Sequence, residues 1–139
     1  MQETWQTTSG HFLKTVPTEP PQTFLILHPA DPKDKHAGVG FIVSPKLRPF
    51  IINFTSHSSR IASLRIRTQP RPIQIFTIYA PSMIADPPAD LLRTENFWQQ
   101  LHKTYETVPD AIIKILAGDL NVRMHARPAS HTEHVGPHI

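Results

Sequence analysis

Residues 73–80, Ile-Gln-Ile-Phe-Thr-Ile-Tyr-Ala, constrain the fold more than any other stretch of the chain. Side chains alternate between faces on an extended backbone, so Ile73, Ile75 and Tyr79 share one face while Phe76, Ile78 and Ala80 share the other. A strand apolar on both faces belongs in the middle of a sheet that is covered on both sides. Pro81 then stops it, since a proline cannot donate to a ladder.

The surroundings supply neighbours for such a strand. Residues 23–28 and 38–44 are apolar and flank a charged turn, which predicts a hairpin, and residues 50–55 and 60–67 predict another. Within the latter, Ala62, Leu64 and Ile66 alternate with Ser63, Arg65 and Arg67, so one face is expected to be buried and the other wet. A helix follows, with Asp86 as its cap and Pro87 in its first turn. Leu91, Trp98, Leu101, Tyr105 and Val108 form its apolar stripe before Pro109 breaks it. Trp98 and Tyr105 continue that stripe and are read as core. Residues 112–117 then predict a buried strand, so the minimum architecture is a sheet with a helix on its outer face. Residues 7–22 are polar and rich in proline, and read as a loop or a short helix.

Composition narrows the class. Apolar residues are 39% and charged residues 18%, a globular balance, and 15 prolines against 5 glycines imply many stiff loops. With no cysteine, disulfides and thiolate metal sites are excluded. No apolar run approaches the roughly 20 residues needed to span a bilayer, and the first residues lack a signal peptide's pattern, so no membrane partner is expected and the chain reads as soluble and intracellular. The net charge of +3 favours an anionic partner, and Arg60, Arg65, Arg67 and Arg71 are candidates for a phosphate-facing stripe. Residues 123–139 carry four histidines, His125, His131, His134 and His138, at spacings that would permit zinc. The Pro, Gly and Ser around them fit a loop better.

The strand at 112–117 ends in Gly118-Asp119-Leu120-Asn121. Asp119 and Asn121 lie two positions apart, so they share a side and could position water, metal or phosphate; taken alone they could equally form a polar turn. Gln2-Glu3-Thr4 at the start, Ile78-Tyr79-Ala80-Pro81 at the end of the central strand, and a helix leading to the strand that ends Gly-Asp-Leu-Asn occur in a telling order. Together they resemble the endonuclease/exonuclease/phosphatase (DNase I-like) family of Mg-dependent phosphoester hydrolases. Gly38-Val39-Gly40-Phe41-Ile42-Val43, Ser59-Arg60-Ile61-Ala62, Asn121-Val122-Arg123 and residues 133–139 look like its branch of non-LTR retrotransposon endonucleases and proteins derived from them.

That resemblance implies roles. Glu3 would bind Mg²⁺ or Mn²⁺, Tyr79 would lie near the scissile phosphate, Asp119 would orient or deprotonate the attacking water, and Asn121 would help stabilise the developing charge. The partner would be nucleic acid, with DNA expected, and the location nuclear if genomic DNA is the substrate. The physics agrees: Mg²⁺ prefers oxygen ligands, keeps several waters, and needs only one or two carboxylates beside a substrate phosphate.

The implied fold is α/β, a partial DNase I-like two-sheet sandwich with outer helices. Residues 1–139 would form a truncated version of the domain, with mainly its first sheet present, residues 1–122 as the sheet and helix region, and 123–139 as an irregular, His-rich tail. The family's upstream Asn, a later Asp and a terminal Ser-Asp-His have no match here. Loss of one electrostatic contact costs about 100-fold in rate, so the chain is expected to be impaired. The alternative is a catalytically inactive remnant that binds nucleic acid weakly at most.

Overall fold

The stretch Ile73–Tyr79 is a central strand, hydrogen-bonded on both sides. In the computed structural model, which describes residues 10–29, 38–82 and 87–121, the strands in chain order are β1 (Gly10–Val16), β2 (Gln22–His28), β3 (Phe41–Val43), β4 (Ile51–Ser58), β5 (Ile61–Ile66), β6 (Ile73–Tyr79) and β7 (Ile113–Asp119). The helix α1 (Pro87–Glu106) lies between β6 and β7, and a 3-10 turn, Arg48–Phe50, precedes β4. The strands form a three-stranded sheet, β1-β2-β3, and a four-stranded sheet, β4-β5-β6-β7. All pairs are antiparallel except β6 with β7, which α1 connects as a parallel crossover.

The alternation on β6 builds the layers. Phe76 and Ile78, both fully buried, face α1: Ile78 packs with Ile61, Ala80, Phe97, Leu101 and Trp98, and the Phe76 ring lies 5.6 Å from that of Tyr105. On the other face Ile75 joins Leu64 and Ile66 against Leu27 and Val43 of the three-stranded sheet. Phe41 and Phe54 meet edge to face across the two sheets at 6.2 Å. The architecture is therefore α/β: two packed sheets with a helix outside.

Several expectations need correction. Residues 10–16 are a strand rather than a loop or short helix, paired with β2 from Gly10↔His28 to Val16↔Gln22. Every residue of β1 is exposed; the ladder holds it, with the Thr15–Thr23 hydroxyl contact at 3.0 Å and the edge-to-face Phe12–His28 pair beside it, and a strand that buries no face leaves no hydrophobic alternation to read. A second sheet is thus present, covering the inner face of the first where mainly one sheet was expected. Leu91 does not join the helix core: it is 56% exposed, while Phe97 takes the buried position and Asp90, 5% exposed, pairs with Arg93 at 2.6 Å. The proposed cap Asp86 lies outside the described residues. Among the described residues β6 is the only sheet neighbour of β7, which stands at the edge with Ile115 and Leu116 exposed.

Beneath α1 runs a row of polar side chains. Arg65 Nε donates to Gln74 Oε1 at 2.8 Å, Gln74 Nε2 donates to Ser63 Oγ at 3.0 Å, and Ser63 Oγ meets His57 Nε2 at 2.9 Å. The His57 ring stacks on Phe76. Burial disfavours the imidazolium and lowers the His57 pKa below 6.5. The unfolded chain therefore binds more protons than the folded one below about pH 6.5, so stability falls as pH drops through that value and levels off beneath the lowered folded pKa. Urea titrations at pH 7.5 and 5 are expected to show a larger loss for the parent than for His57→Gln. Equal losses would contradict a partly buried His57 whose surroundings disfavour the charged ring.

Candidate functional site

Because β6 and β7 run parallel, their carboxyl ends coincide. The register sets Tyr79 beside Asp119, as it sets Ile73 beside Ile113. Carboxyl ends of adjacent strands are where open α/β sheets place ligands. Both residues have the parity of Ile75 and Ile115, so they belong to the face turned toward the three-stranded sheet.

The chain beyond β7 is fastened to the end of β6. Ala80 N donates to Asp119 O at 2.9 Å, and the Asn121 side chain crosses back so that Nδ2 donates to Ala80 O at 2.5 Å. Asp119 Oδ1 accepts from Asn121 N at 2.8 Å, closing an Asx turn, and Asn121 has the left-handed φ of 48° that asparagine tolerates better than most residues. Gly118 makes this approach possible. Its φ is 148°, and a Cβ there would lie 2.0 Å from Ile78 O.

Arg60, in the turn between β4 and β5, completes the corner. Its backbone carbonyl accepts from Tyr79 N at 3.0 Å, its Nη1 donates to Tyr79 O at 3.4 Å, and its guanidinium carbon sits 5.2 Å from the Tyr79 ring centroid. The sequence offered Arg60 as one cation in a basic run and as part of Ser59-Arg60-Ile61-Ala62, with no role at the site; its place beside Tyr79 depends on the β5–β6 register.

The structure thus brings Tyr79, Asp119 and Asn121 together, while Glu3 and the four tail histidines lie outside the described residues. The turn and the site are compatible, since each side chain keeps spare capacity. Among the described residues Asp119 Oδ2 has no partner, and Asn121 retains one amide hydrogen and its amide oxygen. Both residues are exposed. Their oxygens are hard donors, the kind Mg²⁺ or Mn²⁺ accepts, and one carboxylate suffices when substrate supplies the rest. Among the described residues there is no cluster of three or more His, Asp or Glu that would enclose a metal on its own.

The arginine stripe does not form. Arg60 sits at the Asp119 corner, Arg65 is engaged by Gln74 beneath the helix, and Arg67 and Arg71 lie in the turn that joins β5 to β6 at the opposite end of the strands.

Comparison of the chain with protein-family models, with curated proteins and with solved structures gives no significant match.

Proposed function

We propose that this chain is a Mg-dependent phosphodiesterase acting on nucleic acid, of the DNase I-like, retroelement-endonuclease kind, with the Tyr79–Asp119–Asn121 corner as its reacting centre. The observation that carries the reading is the parallel register that sets Tyr79 against Asp119, with the Asn121 amide bridging the two strand ends. A carboxylate fixed by one oxygen and open at the other can orient a water and take its proton. The water oxygen attacks phosphorus and the bond to the leaving oxygen breaks. The spare Asn121 N–H donates to the phosphoryl oxygens as charge accumulates, and the Arg60 guanidinium, held over the Tyr79 ring, adds positive potential at the same edge. Glu3 is the proposed ligand for Mg²⁺, which when bound neutralises charge on those oxygens. The fixed turn keeps these groups at one separation without reorganisation.

A second reading, nucleic-acid binding without cleavage, is favoured by the described Asp119 and Asn121 contacts, all of which tie the corner together as a turn would. Nicking of supercoiled plasmid by the purified chain separates the two. The enzyme reading expects cleavage in Mg²⁺ that a chelator abolishes; binding with no cleavage above buffer supports the second reading instead.

A further inference from the structure

The end of the sandwich remote from Asp119 carries a groove of about 620 Å³ lined by Pro21, Gln22, Thr23, Ser44, Lys46 and Arg48, with Pro45 in its wall. It opens where β2 begins and β3 ends, beside the Arg48–Phe50 turn. Among the described residues its polar lining consists of two cations, one amide and two hydroxyls, with no carboxylate. Such a set suits an anion with several acceptor oxygens.

Two more cations reach the same end. Arg67 N donates to Phe50 O at 2.8 Å, which fixes Arg67 against the turn that carries Arg48. Thr68 Oγ1 donates to Arg71 O at 2.5 Å and closes the β5–β6 connection with Arg71 on it. Lys46, Arg48, Arg67 and Arg71 are all exposed, and among the described residues none of them makes an ion pair. Of the acids nearby, Glu19 stands outside the groove lining and Asp110 is paired with Lys114 at 3.5 Å. Excess positive charge spread over a groove and the turn next to it fits an anionic polymer better than a compact anion.

We propose that this pole is a binding site for the phosphodiester backbone of single-stranded nucleic acid, separate from the Asp119 corner by the length of β6, roughly 20 Å for a strand of its size. Lys46 and Arg48 hold phosphates within the groove while Gln22, Thr23 and Ser44 donate to their oxygens, and Arg67 and Arg71 extend the track. The site binds whether or not the other corner hydrolyses.

The test is fluorescence anisotropy of a labelled oligothymidylate with the full chain in chelator, so that cleavage plays no part. Lys46→Gln/Arg48→Gln is expected to weaken binding about ten-fold at low salt, and to flatten the slope of log affinity against log salt by about 1.4, 0.7 for each cation lost. Lys46→Arg/Arg48→Lys keeps both charges and is expected to retain binding. If the Gln variant melts below the parent, Arg67→Gln/Arg71→Gln provides the same readout with the groove intact. Parent-like affinity and slope in the charge-removed variants overturn the proposal. So does displacement of the oligonucleotide by polyglutamate as effectively as by unlabelled oligothymidylate, which would mark the pole as a site for acidic protein. Loss of plasmid nicking with this binding intact would count against the hydrolytic reading alone.

Discussion

Gly118→Ala is expected to destabilise the chain by about 3 kcal/mol or more, a large share of the roughly 5–15 kcal/mol by which domains of this kind are stable. Two causes act together. A φ of 148° is open to glycine and strained for any residue with a side chain, and the new methyl would lie 2.0 Å from Ile78 O, 2.8 Å from Ile78 N and 2.9 Å from Ile78 C. All three atoms are backbone in the middle strand of a sheet, so no rotamer change relieves the contact. Relief requires β7 to move off β6, breaking the ladder that sets Tyr79 beside Asp119. Chemical denaturation gives the magnitude, and hydrogen exchange in β7 shows where it falls. A loss below about 1 kcal/mol would mean that the two strands do not approach so closely.

Asp119→Asn is expected to do the opposite: leave stability nearly intact and lower cleavage by at least about 100-fold. The asparagine oxygen can still accept from Asn121 N, so the Asx turn survives with a neutral hydrogen bond in place of a charge-assisted one, a difference of about 1 kcal/mol at most. What disappears is the negative charge at Oδ2, the oxygen that would take the proton from water. Asp119→Ala removes both functions and cannot separate them. The conservative change divides the turn from the chemistry, the two readings that the residues alone left open.

How far the sequence foretells this structure depends on how much each segment buries. β6, apolar on both faces, was legible because its packing wrote two alternating patterns into one strand; β5 was legible as a strand, but its Ser63 and Arg65 face, expected to be wet, is covered by α1, with Ser63 2% exposed and Arg65 bonded to Gln74. β1 left no such trace because none of its residues is buried. The helix was placed correctly in the chain but its stripe was misread at Leu91, since Leu91 and Leu92 are both exposed and Asp90, satisfied by Arg93, takes an inner position that periodicity assigns to apolar residues. At the candidate site, Asp119 and Asn121 could be singled out by spacing and motif. The link from Asn121 to Ala80, 41 residues earlier in the chain, follows from the parallel register and has no local signature. The same holds for Arg60, whose neighbours in the sequence point to a basic stripe whereas the fold carries Arg67 and Arg71 to the far pole.

Phosphodiester hydrolysis proposed at the Asp119 corner is measured most directly as the rate of supercoiled-plasmid nicking in Mg²⁺ by the parent and by Asp119→Asn at equal folded fraction. The expected result is nicking by the parent that stops in chelator and is at least about 100-fold slower in the variant. Equal Mg-dependent rates for the two proteins would contradict it.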